Sequence, residues 1–219
     1  MNTTSIRTLL TGGVLALGLM GTALPAGATP TGPKPGAIVK SACLAAVDTR
    51  VNALGVTNTK VAEAKRLTAD QKSSIQTGIA TVSTNLTTVN RPAIESASSR
   101  ASLKAACGAV YSENRVFAVV IPQLFMTMRA EELGNAVDKL TALAGELNSA
   151  GKDTTSLDAL LADATVQITG ATADFSSVTP DSFNADKTAA TASFDAARDK
   201  LQTAFVDVLK AIMEYRNLK

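Results

Sequence analysis

The chain has 219 residues, 46% of them hydrophobic but only 4% aromatic, and it contains neither Trp nor His. Lys and Arg total 21 against 19 Asp and Glu, a net of +2. That near balance supplies no electrostatic drive toward nucleic acid or an anionic membrane surface, so no nucleic-acid partner is expected. The missing His removes the commonest general base and the commonest metal ligand together.

The chain opens as a signal peptide over residues 1–28. Arg7 gives a positive n-region, the uncharged run "TLLTGGVLALGLMGTAL" follows, and Ala26 and Ala28 form an A-x-A cleavage pattern. Cleavage after Ala28 is expected. The glycines and Pro25 argue against an uncleaved anchor. Residues 29–37, "TPTGPKPGA", are a flexible Pro/Gly leader. A single helical domain is expected over 38–219. Export places Cys43 and Cys107 in an oxidising compartment, where two cysteines allow one intramolecular bridge.

The helical domain begins near Ile38 with a stripe of Leu44, Val47, Val51 and Leu54, and Gly55 is a point for a kink. A second helix starts at Thr68, with Gln71 three residues on to complete a capping box. Ile75, Ile79, Val82, Leu86 and Val89 are its apolar face, and "NRP" at 90–92 ends it. A shorter helix spans about Ser99 to Tyr111.

The stretch "RVFAVVIPQLFMTM", from Arg115 to Met128, is the most apolar part of this domain. It is shorter than the roughly 20 residues a bilayer span needs, so no membrane span is expected after signal cleavage. Its β-branched residues and Pro122 predict an extended backbone over 116–121, with Pro122 opening the next helix at its first position. Phe117, Phe125, Met126 and Met128 are large and adaptable, which suits an apolar binding surface. In a core of small residues, the favoured reading is that they form its largest buried plug.

The helix from 122 to 149 carries Leu133, Val137, Leu140, Ala144 and Leu147 and stops at Gly151. Asp153 or Thr154 caps the next, which carries Leu157, Leu160, Leu161, Ala164, Ile168 and Phe175. Thr179 and Pro180 open the last helix, with Phe183, Phe194, Ala197, Leu201, Phe205, Val208, Ile212 and Tyr215. Its stripe reads as wider than a strict coiled-coil seam. The fold class expected is all-α: an elongated antiparallel bundle of four long helices and one short.

"RLTADQKSSIQTGI" and "RVFAVVIPQ" resemble segments of uncharacterised exported helical proteins of Gram-positive bacteria. The likeness extends loosely over the domain. It implies export and a helical fold, and it implies no activity.

The remaining motifs have ordinary explanations. Ser149 and Lys152 match S-x-x-K, but at a helix end and without the companion S-D-N and K-T-G motifs. Asp181, Asn184 and Asp186 lack the central Gly and terminal Glu of a calcium loop. Glu131 and Glu132 diverge on a helix, Asp195 and Asp199 lie among Arg198 and Lys200, and the sequon Asn85-Leu-Thr87 falls on a helix. No catalytic residue, cofactor or metal site is expected. The function expected is that of a secreted or cell-envelope interaction module, with a protein or cell-wall partner. A carrier or chaperone of apolar ligands or unfolded chains is the alternative.

Overall fold

The computed structural model describes residues 40–219, so the expected signal peptide, the expected leader and the expected start at Ile38 lie outside the described residues. The described chain is all-α, with no strand. Its helices are α1 (Lys40–Glu63), α2 (Ala69–Asn85), α3 (Arg91–Ser96), α4 (Arg100–Ser112), α5 (Ile121–Ser149), α6 (Thr155–Ser176), α7 (Pro180–Ala185) and α8 (Lys187–Leu218). Five are long, at 24, 17, 29, 22 and 32 residues, rather than the four expected.

Two corrections share one cause. The expected break at "NRP" and the expected extended segment at 116–121 are both π-helical turns, Leu86–Asn90 and Val116–Val120, each running straight into a helix. In both, the residue just before a proline donates its N–H five residues back: Arg91 to Leu86 and Ile121 to Val116. Proline has no N–H, and its ring collides with the carbonyl four residues back in a regular helix. A wider turn moves that carbonyl away, so the chain passes Pro92 and Pro122 without leaving helical geometry. The β-branched content of 116–121 does not prevail, because Val116 and Val119 gain more from burial than an extended backbone offers. Pro122 still sits in the first turn of its helix.

The extra residue also rotates the adjoining side chains about the helix axis. Ile75, Ile79 and Leu86 face the core as expected, but Val89 is 54% exposed and Asn90 takes the inward place. On α1 the buried row is Cys43, Val47, Arg50, Leu54, Thr57 and Val61, so two polar residues share the core stripe. The helix runs unbroken past Gly55.

Local signals set most helix ends. The Thr68–Gln71 capping box forms in both directions. Gly151, at φ 78°, ends α5 in a Schellman arrangement, with Gly151 N–H donating to Asn148 O and Lys152 N–H to Leu147 O. Thr179 caps only the six-residue α7. Asp186 then leaves helical geometry, and its side chain accepts from Ala189 N–H to start α8, so Phe183 belongs to α7 rather than to the last helix.

α5, α6 and α8 pack on one another, while α1 packs on α2, α3 and α4. The α6–α8 pairing is the most extensive. Its heptad row is widened by Ile212, buried beside Ala211, so the stripe is wider than a strict coiled-coil seam, as expected. On α8, Ala190, Ala197, Ala204 and Ala211 alternate with Phe194, Leu201, Val208 and Tyr215, all buried. On α6, Ala164 and Ala171 alternate with Leu157, Leu161 and Phe175. Alanine at one seam position lets two helix backbones approach closely, and the larger residues fill the alternate layers. Lys200 spans this pair to Asp174 at 2.7 Å.

Cys43 and Cys107 are bonded, closing 64 positions of chain and tying the start of α1 to α4. Lys40 donates to the Glu95 carbonyl at 2.8 Å, and Arg91 pairs with Asp48, so α1 lies antiparallel to α2 and α3. No described helix is long and apolar enough to cross a membrane.

Candidate functional site

The two π turns meet. Asn114, just before the second, donates to Asn90 at 2.8 Å, the last residue of the first, and accepts from Asn85 at 3.0 Å. Asn90 donates to Glu113 at 3.1 Å. Asn90 and Asn114 are buried, and each buried amide is satisfied by another, as burial of polar groups demands. Arg115 then takes a left-handed backbone, φ 39° and ψ 42°, and its carbonyl accepts from the N–H groups of Ala118, Val119 and Val120. Its Nε donates to Asn184 at 2.6 Å, and Asn184 donates to the Ser112 carbonyl at 2.8 Å. Asn184 is thus occupied by protein, and Asp186 by its capping role, which accounts for two of the three oxygens in that turn.

This knot fixes the direction of each side chain in the second π turn. Val116 and Val119 point into the core, while Phe117 between them is 49% exposed. Phe117 lies against α1. The Arg50 guanidinium sits 4.2 Å from the Tyr111 ring centre and 5.5 Å from that of Phe117. Further along the same two elements, the Lys60 ammonium sits 5.2 Å from the Phe125 ring. α1 and the start of α5 therefore run side by side in the same direction, with a cation over an aromatic ring at each end of the seam. A third such pair, Arg129 over Phe205 at 4.6 Å, joins α5 to α8.

Arg50 is the unusual member. It is only 7% exposed, its Nη1 donates to the Ala46 carbonyl at 2.9 Å, and its buried Nε has no acceptor. Burial pushes its guanidinium below the ordinary arginine value, an effect that Tyr111 opposes. Burial does the same to Arg129, opposed by Glu132 and reinforced by the nearby Arg66. Among the described residues, no carboxylate lies within ion-pair distance of Arg50 or Lys60.

Phe125, Met126 and Met128 are half-buried, so they do not form the closed core plug that the sequence favours. The physical reason is their position. The first turns of α5 are shared between two groups of helices. Gln123 donates to the Phe175 and Val178 carbonyls on one side, and Phe125 meets Lys60 on the other. An element clasped from two sides leaves gaps between the clasping helices. Gln71 extends the second contact, donating to Glu131 and to Asn135 at 3.2 Å.

Phe117 and Phe125 thus lie against α1, Met126 and Met128 are half-buried in the same helical turn as Phe125, and Cys43 and Cys107 form a buried staple. Arg50, Asn90 and Asn114 carry no sequence signature by themselves. Arg50 could have been found by its spacing, because it continues the period of Cys43, Val47 and Leu54. Ser149 and Lys152 lie exposed at the α5 terminus. No cluster of three or more Cys, Asp or Glu able to hold a metal occurs among the described residues. No protein-family model, curated protein or solved structure matches this chain.

Proposed function

We propose that this is an exported, non-catalytic helical-bundle protein of the cell envelope or extracellular space that acts by binding a protein or cell-wall partner. The observation that carries the reading is Phe117: a half-exposed aromatic held outward by a left-handed residue, a π turn and a buried amide network. A fold that constrains an exposed aromatic so tightly resembles an interface anchor more than a stray surface residue. The Cys43–Cys107 bridge fits an oxidising compartment. The signal-like opening, with cleavage expected after Ala28, supports the same placement.

The half-exposure of Phe125, Met126 and Met128 favours a second reading, a carrier of apolar ligands. One experiment separates the two. A photo-crosslinking residue is placed at position 117 and, as a control on α6, at the exposed position 166, in the organism that makes the protein. The interaction reading expects Thr29 at the mature N-terminus and a protein or cell-wall adduct from position 117 alone. A lipid or other small apolar adduct at 117 supports the carrier, and adducts equal at both positions sink both readings.

A further inference from the structure

We infer that the seam between α1 and the start of α5 docks an acidic, apolar-faced helical segment of a partner protein. The inference rests on the interaction reading above and specifies the chemistry of the partner.

Three features converge on the seam. Its lip is apolar: Phe117 is 49% exposed and Phe125 is half-buried, each beside a cation of α1. Its charges are positive and lack acid partners: Arg50 and Lys60 rest on aromatic rings, and no described carboxylate is within ion-pair distance of either. Its buried Arg50 Nε still lacks an acceptor. A buried guanidinium N–H without an acceptor is costly, and an incoming carboxylate removes that cost. Phe117, half-exposed beside the guanidinium, flanks the way in.

The shape favours a helix. Arg50 and Lys60 lie about 15 Å apart along α1, which is the length of two to three helical turns. An amphipathic helix lays its apolar stripe in the furrow between two parallel neighbours, and acidic residues flanking the stripe meet both cations. A membrane surface fits poorly. A lipid plane selects cations that project, whereas Arg50 is sunk beside two rings and is reached only by a group carried on a side chain.

The test uses the full mature chain with two synthetic amphipathic peptides of about 20 residues, one of Leu and Glu and one of Leu and Lys. Vesicles of phosphatidylglycerol and of phosphatidylcholine are the comparison. Binding is followed by anisotropy and by the ring NMR signals of Phe117 and Phe125, with the methyl signal of Met213, exposed on α8, as the internal control. The Leu/Glu peptide is expected to bind at least about tenfold more tightly than the Leu/Lys peptide, moving the Phe117 and Phe125 signals but not that of Met213. Lys60→Glu, at an exposed position, should reverse the preference, and Phe117→Ala should weaken the acidic peptide. Equal affinities, binding of neither peptide, shifts at Met213 instead, or binding to phosphatidylglycerol vesicles alone would each overturn the inference. A protein adduct from position 117 without charge preference for the peptides would defeat this inference while leaving the interaction reading standing.

Discussion

Arg50 is a buried cation beside two aromatic rings with no acid partner among the described residues. Replacing a buried, acid-free cation by an apolar residue of similar length is neutral or stabilising in many proteins. Arg50→Met should therefore leave the urea midpoint unchanged or raise it, while abolishing the preference for an acidic peptide. A loss of more than about 2 kcal/mol would mean that the ring-stacked guanidinium holds the fold instead. The run from 116 to 121 contains the complementary contrast. Ile121→Ala should cost about 2–4 kcal/mol, the range for emptying a core site. Phe117→Ala, only four positions away, should cost less than about 1 kcal/mol, since it gives up exposed area and one cation contact. Denaturant melts of the two variants decide it, and equal losses would remove the distinction between core and lip. Asn114 belongs with the core residues. Its removal orphans Asn90 and Asn85, so Asn114→Ala should lose about 1–3 kcal/mol in the same melts.

At the scale of the helix, the α6–α8 seam has the least tolerance for added volume. Ala197, Ala204 and Ala211 are fully enclosed between two backbones. Ala204→Leu should destabilise by about 1–3 kcal/mol, because an added side chain must force the pair apart. The same change at exposed Ala196, on the outer face, should be nearly silent in a thermal melt. The start of α6 adds a pH-dependent contribution. The Asp153 carboxylate accepts from Thr155 N–H at 3.0 Å, and that bond holds its carboxyl below the ordinary aspartate value. Because the folded value lies below the unfolded one, the stabilisation is complete above the ordinary range and fades as pH falls through the folded value. Asp153→Ala should therefore lower the melting temperature at neutral pH, and the gap from the parent chain should close in acid. A gap independent of pH would show that the cap does not act through its charge.

At the scale of the molecule, the single bridge closes 64 positions of chain. A loop of that size corresponds to about 4 kcal/mol of restricted unfolded-chain entropy. The paired variant Cys43→Ser with Cys107→Ser should therefore melt well below the parent. Both cysteines are buried, so thiol reductant should act on the bridge slowly in buffer and readily in denaturant. Two thiols titrating in unreduced, denatured protein would show that the bridge is absent from the isolated protein. The bridge lies wholly within the α1–α4 group. Its loss should release amide-exchange protection there first and leave the α6–α8 pair protected.

Sequence alone determined the features that depend on short range. The caps at Thr68, Thr179 and Gly151 were legible because a cap needs only a few consecutive residues. The all-α class came from apolar period, and the pairing of Cys43 with Cys107 came from an even count and the expected compartment. The tertiary structure decided the features that depend on neighbours distant in the chain. Pro92 and Pro122 read as breaks, but packing of Leu86, Val116 and Val119 held the helix and widened the turn instead. That one added residue moved Asn90 inward and Val89 outward, which no periodicity could register in advance. Phe125, Met126 and Met128 read as core because they are apolar, yet their burial depends on how closely two helix groups clasp α5. Arg50 went unremarked in the sequence, since its lack of an acid partner is visible only when every potential acid has a position.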